Sequence, residues 1–452
     1  MNRSIAAIGL FLCISSAAEA QDAAHWPQFR GPQASGQTHG APIPTKWNGE
    51  KGEGILWKTE IPGLGHSSPV VWGDRIYLTA AISGKAKPKL KVGLYGDIAP
   101  VNDETAHKYM VYALDRTTGK IVWERLAHEG VPKVKRHTKA THANSTPVTD
   151  GKHVVVNFGA EGLYCYDTSG KLAWKKDLGD LDAGFYMVPK AQWGYGSSPV
   201  IHAGVLLVQA DVQKESFLAA FDVETGKELW RVARDEVPTW GSPAPVRVGD
   251  ATHVVVNGWK HIGAYDLADG KEIWKLEGLG DIPTPTPVFG HGLAFITNAH
   301  GAGSPIYAVK LDAKGDISLQ DDALSNDGIA WSIQRGGAYM PTPVLAGDLL
   351  YVSKDNGTLA VFDARSGERK YQERLGGGKT GFTASSVASG DHLYVTSELG
   401  ETFVVKLGET FDLVVQNEIG EIVMASPAIA DGTLYLRGQK HLFAVGTSTA
   451  PD

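Results

Sequence analysis

The amino-acid sequence predicts an all-β fold: an eight-bladed β-propeller of four-stranded antiparallel blades, the last of them closed by an N-terminal strand. Two repeated features predict it. The stretch ALDRTTGKIVW, from Ala113 to Trp123, returns as YDTSGKLAW ending at Trp174, FDVETGKELW at Trp230, YDLADGKEIW at Trp274 and FDARSGERKY at Tyr371. In each copy an apolar run reaches an Asp that can bond the turn, a Gly supplies positive φ, and alternation resumes towards an aromatic. Each copy is therefore two strands and a tight turn. A second anchor recurs at Ser68-Pro69-Val70, Thr146-Pro147-Val148, Ser198-Pro199-Val200, Ala244-Pro245-Val246, Thr286-Pro287-Val288, Thr342-Pro343-Val344, Ser385-Ser386-Val387 and Ser426-Pro427-Ala428. Successive anchors lie 78, 52, 46, 42, 56, 43 and 41 residues apart, the period of propeller blades with extra loop in the longest intervals.

Residues 1–20 have the form of a secretory signal, with Arg3 ahead of an apolar core and Ala18-Glu19-Ala20 as a small-x-small cleavage site. Cleavage is expected after Ala20, giving an exported, periplasmic or extracellular monomer without a transmembrane segment. Leu12 stands before Cys13 where a lipobox needs a small residue, which argues against lipidation. Residues 21–54 form a lead-in whose WPQFRGPQASG segment is expected to pack Trp26 and Phe29 against the propeller. The propeller itself takes residues 55–447, and 448–452 are a tail. The run Ile55–Glu60 looks like a last strand without its first three, and Ser426–Val445 like three strands without their last. Pairing them closes the ring and buries both open edges.

Composition narrows the partners. A formal net charge of −7 and the absence of a long basic run argue against nucleic acid or an anionic membrane. After cleavage Cys165 is the sole cysteine, so neither an intrachain disulfide nor a Cys-rich metal cluster is available. The histidines show no His-x-x-x-His spacing, and no metal site is expected. The run KAKPKLK, in an insertion from Ile82 to His107, is a local basic patch, either a solvated loop or, at a ligand face, a means of steering an anion.

In propeller geometry the loops between second and third strands share a face with the blade-to-blade loops. Insertions at 82–107, 127–144 and 177–196 should crowd that face above blades 1 to 3, where repeat proteins place function. The residues leading into the innermost strands should rim the central channel: His66, His142 and Asn144, Trp193 and Tyr195, Trp240, Pro283, Tyr339, Phe382 and Met424. Such a rim either stacks a flat ring or sugar or simply plugs the channel. Arg335, in WSIQRGGAYM, either holds a carboxylate or phosphate bidentately or ties down a turn. The recurring Trp57, Trp123, Trp174, Trp230, Trp274 and Trp331 are expected to be structural, because repetition argues against a unique role.

The Asp, Thr/Ser-Gly-Lys and Trp units alternating with Ser-Pro-Val starts resemble the pyrroloquinoline quinone (PQQ)-type propellers. That superfamily holds the quinoprotein alcohol and glucose dehydrogenases and BamB of the outer-membrane barrel-assembly machinery. The phrases WPQFRGP, SSPVVWGDRIYLTA, RGGAYMPTPVLAGDLLYVSKDNGTL and HLFAVG are similar to those of exported bacterial PQQ-like repeat proteins. The resemblance implies the fold across nearly the whole mature chain and leaves open whether the protein is an enzyme. The alcohol dehydrogenases use a vicinal Cys-Cys disulfide that this chain lacks, a Trp floor, and a calcium held by Glu and Asn. By resemblance, Trp193 or Trp240 would serve as floor and Asn144 as ligand, with Arg335 and Tyr339 as further cofactor contacts, but PQQ and calcium are not required by the sequence. The reading placed first is a non-catalytic binding or scaffold protein of the cell envelope, meeting an envelope protein or a small-molecule or glycan ligand at the loop-rich face. A quinoprotein dehydrogenase of alcohols or sugars is second. A carbohydrate-active enzyme using Tyr339, Arg335 and a rim histidine is third.

Overall fold

The computed structural model describes residues 24–38, 40–85, 90–188, 190–378 and 380–447. The expected signal segment, the tail and most of the Lys85–Lys91 basic run lie outside the described residues. Eight antiparallel sheets follow one another along the chain, each with four strands laid out in sequence order. Blade 1 runs Val70–Trp72, Arg75–Ser83, His107–Asp115 and Ile121–Gly130. Blade 8 takes Ala428–Ala430, Thr433–Arg437 and His441–Val445 from the C-terminal side and Ile55–Glu60 from the N-terminal side. Trp57 lies opposite Ala444 and Thr59 opposite Leu442, so the ring is closed by backbone pairing between the two ends of the propeller. Two sheets gain a short fifth strand. Gly315–Asp316 adds in parallel beside Trp274 of blade 4, and Gln37–Thr38 adds in parallel to Val387–Ser389 of blade 7. No helix among the described residues is long and apolar enough to cross a membrane.

The repeated motif works as one joint between blades. Asp222 Oδ1 accepts from the Thr225 amide at 2.9 Å and its hydroxyl at 2.5 Å, which holds the turn, and Gly226 turns it with φ of 68°. Trp174 of the preceding blade lies against that glycine, where an added Cβ would stand 2.7 Å from the indole, and its Nε1 donates to Val223 O at 2.9 Å. The same bond runs from Trp57 to Arg116, Trp123 to Thr168, Trp230 to Leu267 and Trp331 to Ala364, all at 2.9–3.0 Å. The Asp, Gly and Trp are spaced as they are because the Asp and Gly shape a turn that the neighbouring blade's Trp must cover. Trp274 differs: its blade edge is covered by the Gly315 strand, and the indole is 1% exposed.

The Ser/Thr of the second anchor makes a belt around the channel. The amide of each donates to the next blade's hydroxyl: Ser68 N–H to Thr146 Oγ1, Thr146 to Ser198, Ser198 to Ser242, Ser242 to Thr286, Thr286 to Thr342, Thr342 to Ser385 and Ser385 to Ser426, at 2.9–3.2 Å. The belt is open at the seam between blades 8 and 1, where Ser68 Oγ is buried without a partner among the described residues.

The lead-in crosses the channel end. Trp26 pairs with Val71 of blade 1 through both backbone bonds, and Pro27 O accepts from Thr149 of blade 2. Arg30 then reaches blades 6 and 7, donating to Pro343 O at 2.6 Å and Ser386 O at 2.8 Å. Arg30 is fully buried, its hydrogen bonds among the described residues go to carbonyls, and burial lowers its pKa to about 9.

Candidate functional site

The channel mouth opens into a cavity of about 580 Å³, within the range of small-molecule sites. Its floor includes Phe29 from the lead-in, half-buried, while Trp26 is fully buried in the core. Trp26 is thus buried beside Val71 of blade 1, while Phe29 adds a cavity surface. The roof is the insertion of blade 1, whose residues Leu94–Ile98 line the cavity. It is held down at several points. Val101 N–H donates to Arg136 O at 2.9 Å, Asp97 N–H to Thr138 Oγ1 at 3.0 Å, and Trp193 Nε1 to Ile98 O at 3.2 Å. The three insertions thus meet above one face because each supplies backbone groups the others need.

One side of the cavity is a wall of rings. Phe185 and Trp193 stack at 5.4 Å with an interplanar angle of 5°, and Trp193 meets Trp240 at 5.9 Å. Phe185 also meets His300 edge-on at 5.8 Å, and His300 lies 6.3 Å from Tyr339. His300 is positioned by Asp281, whose Oδ1 stands 2.6 Å from Nδ1. Burial raises the Tyr339 hydroxyl to about 12, so it stays protonated.

The facing side is polar. Glu398, its side chain wholly buried, pairs with Lys139 at 2.7 Å, accepts from the Thr383 hydroxyl at 2.5 Å and from the Gly93 amide at 2.8 Å. Lys139 also donates to Gly93 O. This pair joins the loop before blade 2, the roof and blade 7 in one knot. A buried pair with its remaining lone pairs satisfied is tolerated; breaking it leaves a lone buried charge. His66 faces Lys139 O through Nε2 at 2.9 Å, and burial pushes its pKa down to about 4, so the neutral ring carries its proton there. Asp355 completes this side, half-buried and with its pKa raised by burial.

Of the residues expected at the rim, His66, Asn144, Trp193, Trp240, Tyr339 and Met424 line this cavity. The others do not. Tyr195 turns between blades and donates to Gln209 O at 2.6 Å, leaving Gly194 and Gly196 on the cavity side, as alternation in an extended segment requires. Phe382 packs on Phe403 in the core while its neighbour Thr383 faces the cavity. His142 packs on His107 at 4.9 Å beneath the roof. Pro283 gives its carbonyl to the Trp240 amide. Arg335 is exposed in a loop bridged to Ser304 and does not reach the cavity. Sequence reasoning missed Phe185, Lys139, His300, Asp355 and Glu398. Three of these had a signal: TNAHG, SKDNG and TSELG put His300, Asp355 and Glu398 just past the second strands of blades 5, 6 and 7, in loops that share the channel face.

The fit to calcium and a quinone can be tested on these residues. Asn144 Oδ1 already accepts from Thr141 N at 2.9 Å and Oγ1 at 3.0 Å, and its Nδ2 donates to Tyr195 O. Among the described residues no group of three or more His, Cys, Asp and Glu could hold a metal ion. PQQ carries three carboxylates, whereas the cavity is lined by three acids, Asp97, Asp355 and Glu398, against one lysine that is already paired. The residues present do not fit that cofactor.

A family model described as outer membrane protein assembly factor BamB, PQQ_2, matches residues 107–373 and 245–409, together more than half of the chain. The chain belongs to the PQQ_2 family. Within PQQ-type proteins more broadly, it is 22% identical over 247 residues to the quinoprotein alcohol dehydrogenase PedH of Pseudomonas putida, a match covering 49% of this chain and 38% of that enzyme. The chain thus aligns with well under half of that curated relative's length. Solved structures share the fold. BamB from Moraxella catarrhalis superposes with a TM-score of 0.52 at 12% identity, covering 81% of this chain and 99% of that one. The quinohemoprotein alcohol dehydrogenase of Comamonas testosteroni gives 0.64 at 13% identity, covering 96% and 83%. Likeness at such identity shows the propeller fold alone and does not separate a binding role from catalysis.

Proposed function

We propose that this PQQ_2 chain is an exported, monomeric, non-catalytic binding protein of the cell envelope, with the roofed cavity at the channel mouth as its ligand site. The observation that carries this is the cavity itself: floored by Phe29, roofed by Leu94–Ile98 and walled by rings, yet with its amide and its buried acid already committed within the protein. Asn144 and Glu398 hold the site together and are not poised to activate a substrate. A ring wall of this kind takes a flat or sugar-like body. The roof and the neighbouring insertion also leave Tyr95, Ile98 and Met187 exposed at 79%, 58% and 65%, apolar surface suited to an envelope protein partner.

Fluorescence titration of the mature protein with tryptophol and with a panel of monosaccharides tests the site. Saturable binding is expected, weakened about tenfold or more by Trp240→Ala. Parallel titration with PQQ and calcium, followed by dye reduction across alcohols and sugars, is expected to show neither binding nor turnover. Calcium-dependent turnover would replace this reading with a quinoprotein dehydrogenase.

A further inference from the structure

We infer that the cavity selects an organic cation, a small molecule whose flat apolar body lies on the ring wall while an amine or quaternary ammonium group faces Asp355. The inference deepens the binding-protein reading and rests on it.

The charges lining the cavity are unequal in their commitments. Asp97 is matched by Lys91 at 2.7 Å, and Glu398 by Lys139 at 2.7 Å. Among the described residues Asp355 has no ion pair, and no other side chain donates to its carboxylate. Its local donors are its own amide and that of Asn356, and Lys354 and Lys139 act on it from a distance. An unpaired, half-buried carboxylate gains most from a cation brought to it, because the pair forms where solvent screens it weakly. His66 and His137 do not fill that role, and His300 is already matched by Asp281. Burial holds His66 and His137 near a pKa of about 4, so both rings are neutral at neutral pH.

The wall points the same way. The rings run from Trp240 through Trp193 and Phe185 to His300 and Tyr339, each within 6.3 Å of the next, and Tyr339 lies within electrostatic reach of Asp355. Aromatic faces are electron-rich and attract a cation placed over them, while an anion is repelled. Rings and carboxylate therefore favour one sign of ligand charge, and they oppose the polyanionic cofactor for the same reason.

Tryptamine, tryptophol and indole-3-acetate share one ring and differ in side-chain charge: cationic, neutral and anionic. Calorimetry of the three with the mature protein at pH 7 is expected to show tryptamine binding about tenfold tighter than tryptophol, and indole-3-acetate weakest. Asp355→Asn should reduce tryptamine to the level of tryptophol, with a thermal melting curve like that of the unsubstituted protein showing that the variant is folded. High salt should narrow the gap. Equal binding of tryptamine and tryptophol, or tighter binding of indole-3-acetate, overturns cation selection while leaving the binding-protein reading intact. Failure of all three to bind at millimolar concentration, together with failure of the monosaccharides, overturns both.

Discussion

At the residue scale, the polar groups of the interior divide into those with partners and those without. Arg30 and Arg437 are both fully buried cations, but Arg30 reaches four carbonyls, whereas none of the three guanidinium nitrogens of Arg437 has a hydrogen-bond partner among the described residues. Burial lowers the Arg437 pKa to about 10. Arg437 ends the second strand of blade 8 beside Gly65 and His66, at the seam where the hydroxyl belt is open. Arg437→Met removes the unpaired charge and keeps most of the volume. It should raise the unfolding free energy by about 2 kcal/mol, seen as a higher urea midpoint at unchanged slope. The histidines near the cavity set a pH dependence. Burial depresses His66 and His137 to about 4 and His142 to about 3, below the ordinary value of 6.5. The unfolded chain binds more protons in that window, so their contribution is fully present above about pH 6.5 and is lost as pH falls towards 4 and, for His142, towards 3. Urea unfolding from pH 7.5 to 4 should show this slope, and His142→Gln should make it shallower.

At the scale of the element, one joint repeats around the ring, and its parts fail together. Gly226 must keep φ of 68° and lie under Trp174, so Gly226→Ala forces both a strained backbone and an overlap with the indole. The expected loss is about 2 kcal/mol, read as a fall in the unfolding midpoint. Gly204 has φ of 80° but open space around its Cβ position, so Gly204→Ala measures the backbone cost without the overlap. This joint was legible in the sequence because every copy repeats the same local chemistry. The roof was not. Its place depends on Gly93, Ile98 and Val101 meeting Glu398, Trp193 and Arg136, residues up to 305 positions away. No local pattern encodes such contacts.

At the scale of the whole molecule, both ends of the propeller and the lead-in complete what the repeats leave open. A chain beginning at residue 40 would lack Trp26, Phe29 and Arg30, and with them the cavity floor and the clamp between blades 1–2 and 6–7. It should remain a closed ring with a lower melting temperature and weakened ligand binding. A chain beginning at residue 61 would also lack Ile55–Glu60 and leave the edge of His441–Val445 unpaired. That edge should drive self-association, detectable as higher-order species on size-exclusion chromatography.

The sequence by itself determined the all-β class, the number of blades and the closure of blade 8 across the two ends, since each follows from short repeated patterns and from strands lacking a partner. It also placed His66, Asn144, Trp193, Trp240, Tyr339 and Met424 near one another, because the residues before each inner strand occupy one rim. Only the tertiary structure decided which neighbours turn inward, as with Thr383 and not Phe382, and which distant groups meet. The knot of Lys139, Glu398, Thr383 and Gly93 joins three separate loops. The unpaired state of Asp355 depends on where every other charge in the cavity has gone. A repeat specifies the architecture it repeats, while the site is made from residues that occur once, and their meeting is a property of the closed ring.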